Sequence, residues 1–169
     1  MRQRSYLSNV RSRRGGRTLL TLATLFFLLG TPVAQAAEVN PFKTLLGSWK
    51  GSGDFSLTDG TRERISCNAY YTGGGAQLRL AILCSSSNNK IHMRGKLSYS
   101  GGLLSGSWEE RTFHAEGNLN GKAGSSRLDM KISGNVTGSM KVAYTKSRQS
   151  VQIKTSGSNL KTVSIKLAR

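Results

Sequence analysis

A repeated pattern of alternating apolar residues interrupted by glycine turns most constrains the fold of this chain. In each of four stretches an alternating strand is followed by a glycine turn and a second strand that opens with glycine: residues 99–106, 115–121, 132–138 and, more loosely, 155–160. Consecutive hairpins of this kind are typical of an antiparallel meander. A meander with one apolar face tends to close on itself, because closure removes the exposed strand edges.

Short strands can be traced almost without a break from residue 49 to residue 167. In residues 62–71, Ile65, Cys67 and Ala69 share one face, while Arg64 and Ser66 lie on the other. No stretch shows the 3.6-residue repeat of an amphipathic helix. We therefore predict an all-β protein, an antiparallel up-and-down meander of about ten strands closed into a barrel, with a flattened β-sandwich as the alternative.

Glycine positions also predict the lengths of two turns. Tyr99 and Leu104 face the same way only across an even loop, which predicts a two-residue turn at Gly101-Gly102. Ile132 and Val136 require an odd loop, which predicts a three-residue turn with a bulge at residues 133–135.

The first 36 residues have the layout of a cleaved secretory signal. Six arginines and no acidic residue precede an apolar run at residues 19–29, and the small-residue pair Ala34-Gln-Ala36 follows. The run is shorter than the roughly 20 residues of a membrane span. We predict cleavage after about Ala36, a lead-in at residues 37–46, a single barrel domain at residues 47–169, and a periplasmic or secreted protein without a transmembrane segment. Arg13-Arg14 leaves the twin-arginine route open beside the general secretory route.

Positive charge is concentrated in the C-terminal third of the chain. Loss of the signal removes six basic residues, so the net charge falls from +17 to +11, and residues 118–169 hold ten Lys or Arg against Asp129 alone. Outward positions on successive strands are predicted to form a basic stripe that contacts anionic lipid, lipopolysaccharide or acidic polysaccharide: Arg127, Lys131, Lys141, Lys154 and Lys166. A nucleic-acid partner is not expected, because no aromatic platform interrupts the stripe.

The two cysteines are predicted to form a disulfide. Cys67 and Cys84 fall opposite each other on the inner faces of adjacent strands, and an exported protein normally oxidises such a pair. The alternative is two buried free thiols that pack as small hydrophobes.

No catalytic or metal-binding pattern is present. His92 and His114 are the only histidines and fall on outward positions, His92 between the inward Ile91 and Met93 and His114 between the inward Phe113 and Ala115, so no closed set of metal ligands forms. Glu109 and Glu110 point to opposite faces of a strand and cannot act as a facing pair. No Gly-x-Ser-x-Gly sequence occurs. We predict a protein that is not an enzyme and that has no cofactor.

The inner face carries large and flexible side chains interleaved with glycine. Barrels of about ten strands can hold one ligand or can be filled by their own side chains, and both outcomes stay open. Eight inward residues are predicted to line a site for a lipid-like apolar or amphipathic molecule: Trp49, Tyr71, Met93, Tyr99, Trp108, Met130, Met140 and Tyr144.

Two resemblances follow from short motifs. Gly47-Ser48-Trp49 at the start of the first strand resembles the calycin-type barrels, the lipocalins and nitrobindin-like proteins. This likeness implies a calycin-like barrel in which the tryptophan closes one end and an apolar ligand or haem lies inside; without an inward histidine, haem is not expected. Residues 63–67, 148–151 and 163–165 resemble a set of small exported alphaproteobacterial proteins, which implies a bacterial periplasm.

Overall fold

Ten antiparallel strands form a closed barrel in the computed structural model, which describes residues 40–169. Every strand pairs with the next along the chain, and β1 pairs with β10 to complete the ring. The strands are β1 Gly47–Leu57, β2 Arg62–Gly74, β3 Gln77–Ser85, β4 Lys90–Ser100, β5 Leu103–Glu110, β6 Ala115–Ala123, β7 Arg127–Gly134, β8 Thr137–Tyr144, β9 Arg148–Ser156 and β10 Leu160–Ala168. This confirms the all-β barrel and excludes the sandwich. The predicted signal at residues 1–36 lies outside the described residues.

Period-2 alternation places the core on the inner wall. On β2, Ile65, Cys67 and Ala69 are buried, whereas Arg64 and Ser66 face solvent. Side chains from all ten strands meet inside the ring because alternate positions on a strand point to the same face. Across residues 40–169, no helix is long and apolar enough to cross a membrane.

The two-residue turn at Gly101-Gly102 is confirmed. Tyr99 lies opposite Leu104 across it, and both glycines have left-handed backbone angles, with φ of 55° and 80°. Left-handed geometry at both central positions matches the right-handed twist of the flanking strands.

Three details of the sequence interpretation are wrong. Residues 115–121 form no hairpin but lie within β6, and the chain turns later at residues 124–126. The β7–β8 loop is odd as expected, but Ile132 pairs with Gly138 rather than Val136, because Gly134 remains paired with Gly117 of β6. Phe113, expected inside together with Ala115, is 61 % exposed in the β5–β6 turn, since β6 begins only at Ala115 and its alternation does not extend back into the turn.

The disulfide between Cys67 and Cys84 is confirmed. Cys67 pairs directly with Cys84 in the β2–β3 register, so both thiol side chains reach the same face of the wall. The bridge therefore links two neighbouring strands and contributes two buried side chains to the core.

A short plug segment, residues 40–46, closes the end of the barrel at which β1 begins. Phe42 and Leu45 are buried there, and the Leu45 N–H donates to the Phe42 carbonyl at 2.9 Å to form a tight turn. Trp49 is 1 % exposed and donates from Nε1 to the Leu45 carbonyl at 2.7 Å. The indole thus packs beneath the segment and satisfies its polar atom on it.

Arg169 fastens the plug segment from outside. Its guanidinium lies over the Trp49 ring, with Cζ 4.3 Å from the ring centroid. It also donates to three backbone carbonyls, those of Thr44 at 2.8 Å, Leu46 at 2.5 Å and Lys146 at 2.7 Å. One side chain therefore joins the plug segment to the β8–β9 loop.

Candidate ligand site in the barrel interior

The inner cavity lies between the plug segment and the opposite end of the barrel and has a volume of about 30 Å³. Its walls come from β2 to β9 and from the plug: Leu45, Tyr71, Leu78, Leu80, Ile82, Met93, Gly95, Leu97, Trp108, Leu119, Leu128, Met130, Met140, Val142, Gln149 and Val151. This volume holds about two water molecules, far less than the roughly 300 Å³ of a small ligand pocket. The barrel is therefore filled mainly by its own side chains.

Five of the eight predicted ligand residues line the inner cavity: Tyr71, Met93, Trp108, Met130 and Met140. Their positions differ along the chain by up to 69 residues, and the barrel brings them together because each points inward from a different strand. Three of them are methionines, whose unbranched side chains adapt to irregular space.

The other three predicted ligand residues serve the plugged end. Trp49 donates to the plug segment, as described above. Tyr144 donates from its hydroxyl to the Pro41 carbonyl at 2.8 Å. Tyr99 packs edge-on against Phe42, with ring centroids 6.2 Å apart. These aromatic residues hold the plug segment and do not line the inner cavity.

Gln149 is the functional candidate that sequence reasoning missed. It is 3 % exposed, and its Nε2 donates to the Tyr71 hydroxyl at 2.8 Å. The sequence did contain a signal that could have identified Gln149, because this residue has the same inward parity as Val151 and Ile153 on β9. A glutamine in an otherwise apolar inward row marks a polar group inside the barrel.

Two buried polar side-chain atoms have no hydrogen-bond partner within residues 40–169, and both belong to residues of the inner cavity. They are Nε1 of Trp108, a donor, and Oε1 of Gln149, an acceptor. An unpaired buried polar atom costs about 1–3 kcal/mol, so native proteins rarely leave one without a functional or solvent partner.

Tyr71 adds a second potential donor to the inner cavity. Its oxygen accepts from Gln149, so its own O–H proton remains for another partner. Burial raises the pKa of Tyr71 to about 12, although the hydrogen bond from Gln149 lowers it. The hydroxyl therefore stays protonated across the physiological range.

The end opposite the plug is the mouth of the barrel, defined by the last residues of the odd-numbered strands and the first residues of the even-numbered ones. Half-buried apolar side chains collect there: Leu57, Ile91, Met93, Trp108 and Leu160. The exposed ring of Phe113 projects from the β5–β6 turn beside them. Incomplete burial of these apolar groups contrasts with the buried plug segment, and two of them, Met93 and Trp108, also line the inner cavity.

Glu110 shapes one side of the mouth. It is 8 % exposed, and its carboxylate accepts the backbone N–H of His92 at 2.7 Å and that of Phe113 at 2.6 Å. It lies inward on β5, opposite Met93, while Glu109 points outward. The carboxylate thus fixes the β5–β6 turn and places a negative charge near the approach to the inner cavity.

All five residues of the predicted basic stripe are exposed on β7 to β10. Lys131 and Lys154 lie in one row across the wall, separated by Ser139 of β8. Arg127 is different, because its Nε contacts the Asp129 carboxylate at 2.7 Å and part of its charge is compensated. His92 is half-buried and His114 is exposed. Across residues 40–169, no three His, Cys, Asp or Glu side chains are placed to hold a metal ion.

Comparison with solved structures shows the same barrel fold in other proteins. Rv2717c from M. tuberculosis aligns with a TM-score of 0.60 at 15 % identity, covering 79 % of this chain and 98 % of that one. The S-type phycobiliprotein lyase CPES from Guillardia theta aligns with a TM-score of 0.52 at 16 % identity, covering 76 % and 89 %. No protein-family model matches the chain, and no curated protein sequence matches it. At these identities the likeness describes the fold alone.

Proposed function

We propose that this protein is an exported, non-enzymatic barrel that binds a small apolar or amphipathic molecule in its interior. The observation that carries the proposal is the inner cavity, an apolar site that contains two unpartnered buried polar atoms. An apolar interior with a few convergent polar groups is the usual composition of a small-molecule site. The Cys67–Cys84 bridge fits a protein of an oxidising compartment.

Ligand volume must come from side chains that move, since the inner cavity itself is about 30 Å³. Met93, Met130 and Met140 line it and can change rotamer at low cost. Access from the mouth requires the smallest change, because Met93 and Trp108 belong both to the mouth and to the cavity wall.

The chemistry of the cavity wall supports the proposed non-catalytic role. Apart from the Tyr71 hydroxyl, the side chains that line the inner cavity include no acid, base or thiol. General acid–base or nucleophilic chemistry needs such a group within hydrogen-bond reach of the substrate. The name lyase belongs to the neighbour from Guillardia theta, and we propose binding alone for this chain.

Native mass spectrometry of the protein purified from the envelope of an expressing bacterium tests this proposal. We expect the protein to retain a lipid-like molecule even in about 0.5 M salt, because salt does not screen the burial of apolar surface. The mass of the polypeptide should correspond to a chain that begins at Ala37. Met93→Trp should block the approach and abolish the retained mass. Arg94→Trp adds the same ring to the neighbouring outward position and should leave it unchanged. Equal loss in both variants, or no retained mass in the parent protein, contradicts interior binding.

A second candidate function is attachment to an anionic envelope surface through the outer face of β7 to β10. Residues 127–169 contain nine Lys or Arg and a single acidic residue, Asp129, which is engaged by Arg127. Such a face attracts lipid headgroups, lipopolysaccharide phosphates or acidic polysaccharide over about a Debye length.

Vesicle retention separates the two functions. Surface attachment predicts binding to phosphatidylglycerol vesicles that collapses above about 0.2 M salt, where the screening length falls below about 8 Å. Lys131→Glu with Lys154→Glu should abolish it, whereas Arg94→Glu with Lys96→Glu makes the same charge change on another part of the wall. Equal effects of the two pairs would show a response to net charge and would reject a defined surface.

A further inference from the structure

The polar atoms of the inner cavity define which amphipathic molecules it can accept. The wall offers the Trp108 N–H and the Tyr71 O–H as donors and the Gln149 carbonyl oxygen as an acceptor. A complementary group must both accept and donate, because a group that only accepts leaves Gln149 unpaired.

The charge of the residues around the inner cavity further limits the class of ligand that can bind. Among residues 40–169, no Lys, Arg or His side chain lines the inner cavity, so a carboxylate or phosphate inside would have no counter-ion from this part of the chain. Burial of an unpaired charge costs far more than burial of a hydrogen-bonded neutral group. The Glu110 carboxylate lies near the mouth, opposite Met93, and adds repulsion against an anion on the way in.

A ligand with a cationic head group is disfavoured as well. In the described part of the chain, the one buried side-chain acceptor without a hydrogen-bond partner is the neutral Gln149 oxygen, and the Glu110 carboxylate is occupied by two backbone N–H groups. An ammonium group brings several donors to this single neutral oxygen and keeps its charge uncompensated.

We propose that the barrel interior selects an uncharged amphiphile whose polar end is a hydroxyl group. The hydroxyl accepts from the Tyr71 O–H and donates to Gln149 Oε1, two groups that the hydrogen bond from Gln149 Nε2 to Tyr71 already holds side by side, and the alkyl part displaces methionine side chains toward the mouth. This inference rests on the proposed interior binding and goes beyond it by naming the ligand class.

A matched ligand series tests the selectivity on the unmodified protein. Octanol, octyl methyl ether and octanoate present a hydroxyl, an accept-only oxygen and a charged head on similar alkyl chains, at about pH 8, where the acid is ionised. Titration calorimetry should show octanol binding at least about 10-fold more tightly than the ether, since the ether leaves one buried acceptor unpaired. Octanoate should bind more weakly than the ether.

Two variants assign the selectivity to the named atoms. Gln149→Met removes the acceptor at similar volume and should bring the octanol-to-ether ratio close to about one. Tyr71→Phe removes a donor from which both the alcohol and the ether can accept, so it should weaken both ligands and preserve the ratio. Ile82→Val trims an apolar part of the same wall and should preserve the ratio. Circular dichroism establishes that each variant is folded, and the ligand series on the parent protein stands without them.

The possible outcomes distinguish a failure of the hydroxyl selectivity from a failure of interior binding. Octanoate binding as tightly as octanol, or an octanol-to-ether ratio unaffected by Gln149→Met, overturns the hydroxyl selectivity while interior binding stands. Failure of all three ligands to bind, together with no retained mass in native mass spectrometry, overturns both.

Discussion

Replacement of Arg169 by alanine should loosen the plug and lower the stability of the whole barrel. The change removes three charge-assisted hydrogen bonds to backbone carbonyls and the contact with the Trp49 ring. Because Arg169 is exposed and water competes for its guanidinium, we assign each bond about 0.8 kcal/mol and the ring contact about 0.5 kcal/mol. The expected loss in the free energy of unfolding is about 3 kcal/mol.

Urea unfolding followed by circular dichroism measures this loss. With a slope of about 2 kcal/mol per molar urea, the midpoint should fall by about 1.5 M. Arg148→Ala is the control, since this arginine is also exposed and its guanidinium makes no hydrogen bond within residues 40–169. Arg169→Lys should be intermediate, because one ammonium cannot reach three carbonyls in a planar fork. Equal urea midpoints for Arg169→Ala and Arg148→Ala would refute the stabilising role of Arg169 at the plug segment.

Three further changes test the wall and the core. Gly121→Ala places a Cβ 2.0 Å from a backbone oxygen of the neighbouring strand and should cost about 2 kcal/mol or more in urea unfolding, whereas at Gly124 the nearest atom is 3.9 Å away and alanine should cost less than about 0.5 kcal/mol. Joint replacement of Cys67 and Cys84 by alanine opens a loop with a sequence separation of 17 residues. The thermal midpoint should fall by an amount equivalent to about 2–3 kcal/mol, with no further loss on adding a reductant. Because the pKa of Tyr71 is raised to about 12 in the folded protein, its contribution is complete below about pH 10 and is lost as the pH rises toward 12. Unfolding free energy should fall over this interval, and Tyr71→Phe should flatten the fall.

The strands and the disulfide could be predicted because both depend on local alternation. Whether residue i points inward is fixed by its neighbours at i±2, so the face shared by Cys67 and Cys84 follows from the pattern and the turn between them. Phe113 shows that the alternation rule does not apply outside a strand. Its inward assignment extended the β6 parity back before Ala115, into the turn, where the backbone no longer alternates.

The division of inward residues between plug and cavity could not be predicted from alternation. Tyr71 and Tyr144 are both inward and buried, yet the first lines the inner cavity and the second binds the plug segment. Their heights in the barrel depend on the stagger between strands, which is set by all the turns together. The contacts of Arg169 with the plug segment could not be predicted either, because they join the two ends of the described chain and form only when the barrel is closed.

Closure of the ring also determines how an interior ligand could be accommodated. β1 and β10 are joined in register from Lys50–Ala168 to Leu57–Leu160, so no free edge can slide to widen the barrel. Widening would break a complete ladder of backbone hydrogen bonds, whereas a methionine changes rotamer without breaking one. Space for a ligand must therefore come from Met93, Met130 and Met140, while the polar atoms of Tyr71 and Gln149 are held on the wall by their mutual hydrogen bond. The interior is thus adaptable in volume but constant in its hydrogen-bonding pattern, which is the combination that selects a ligand by its polar end.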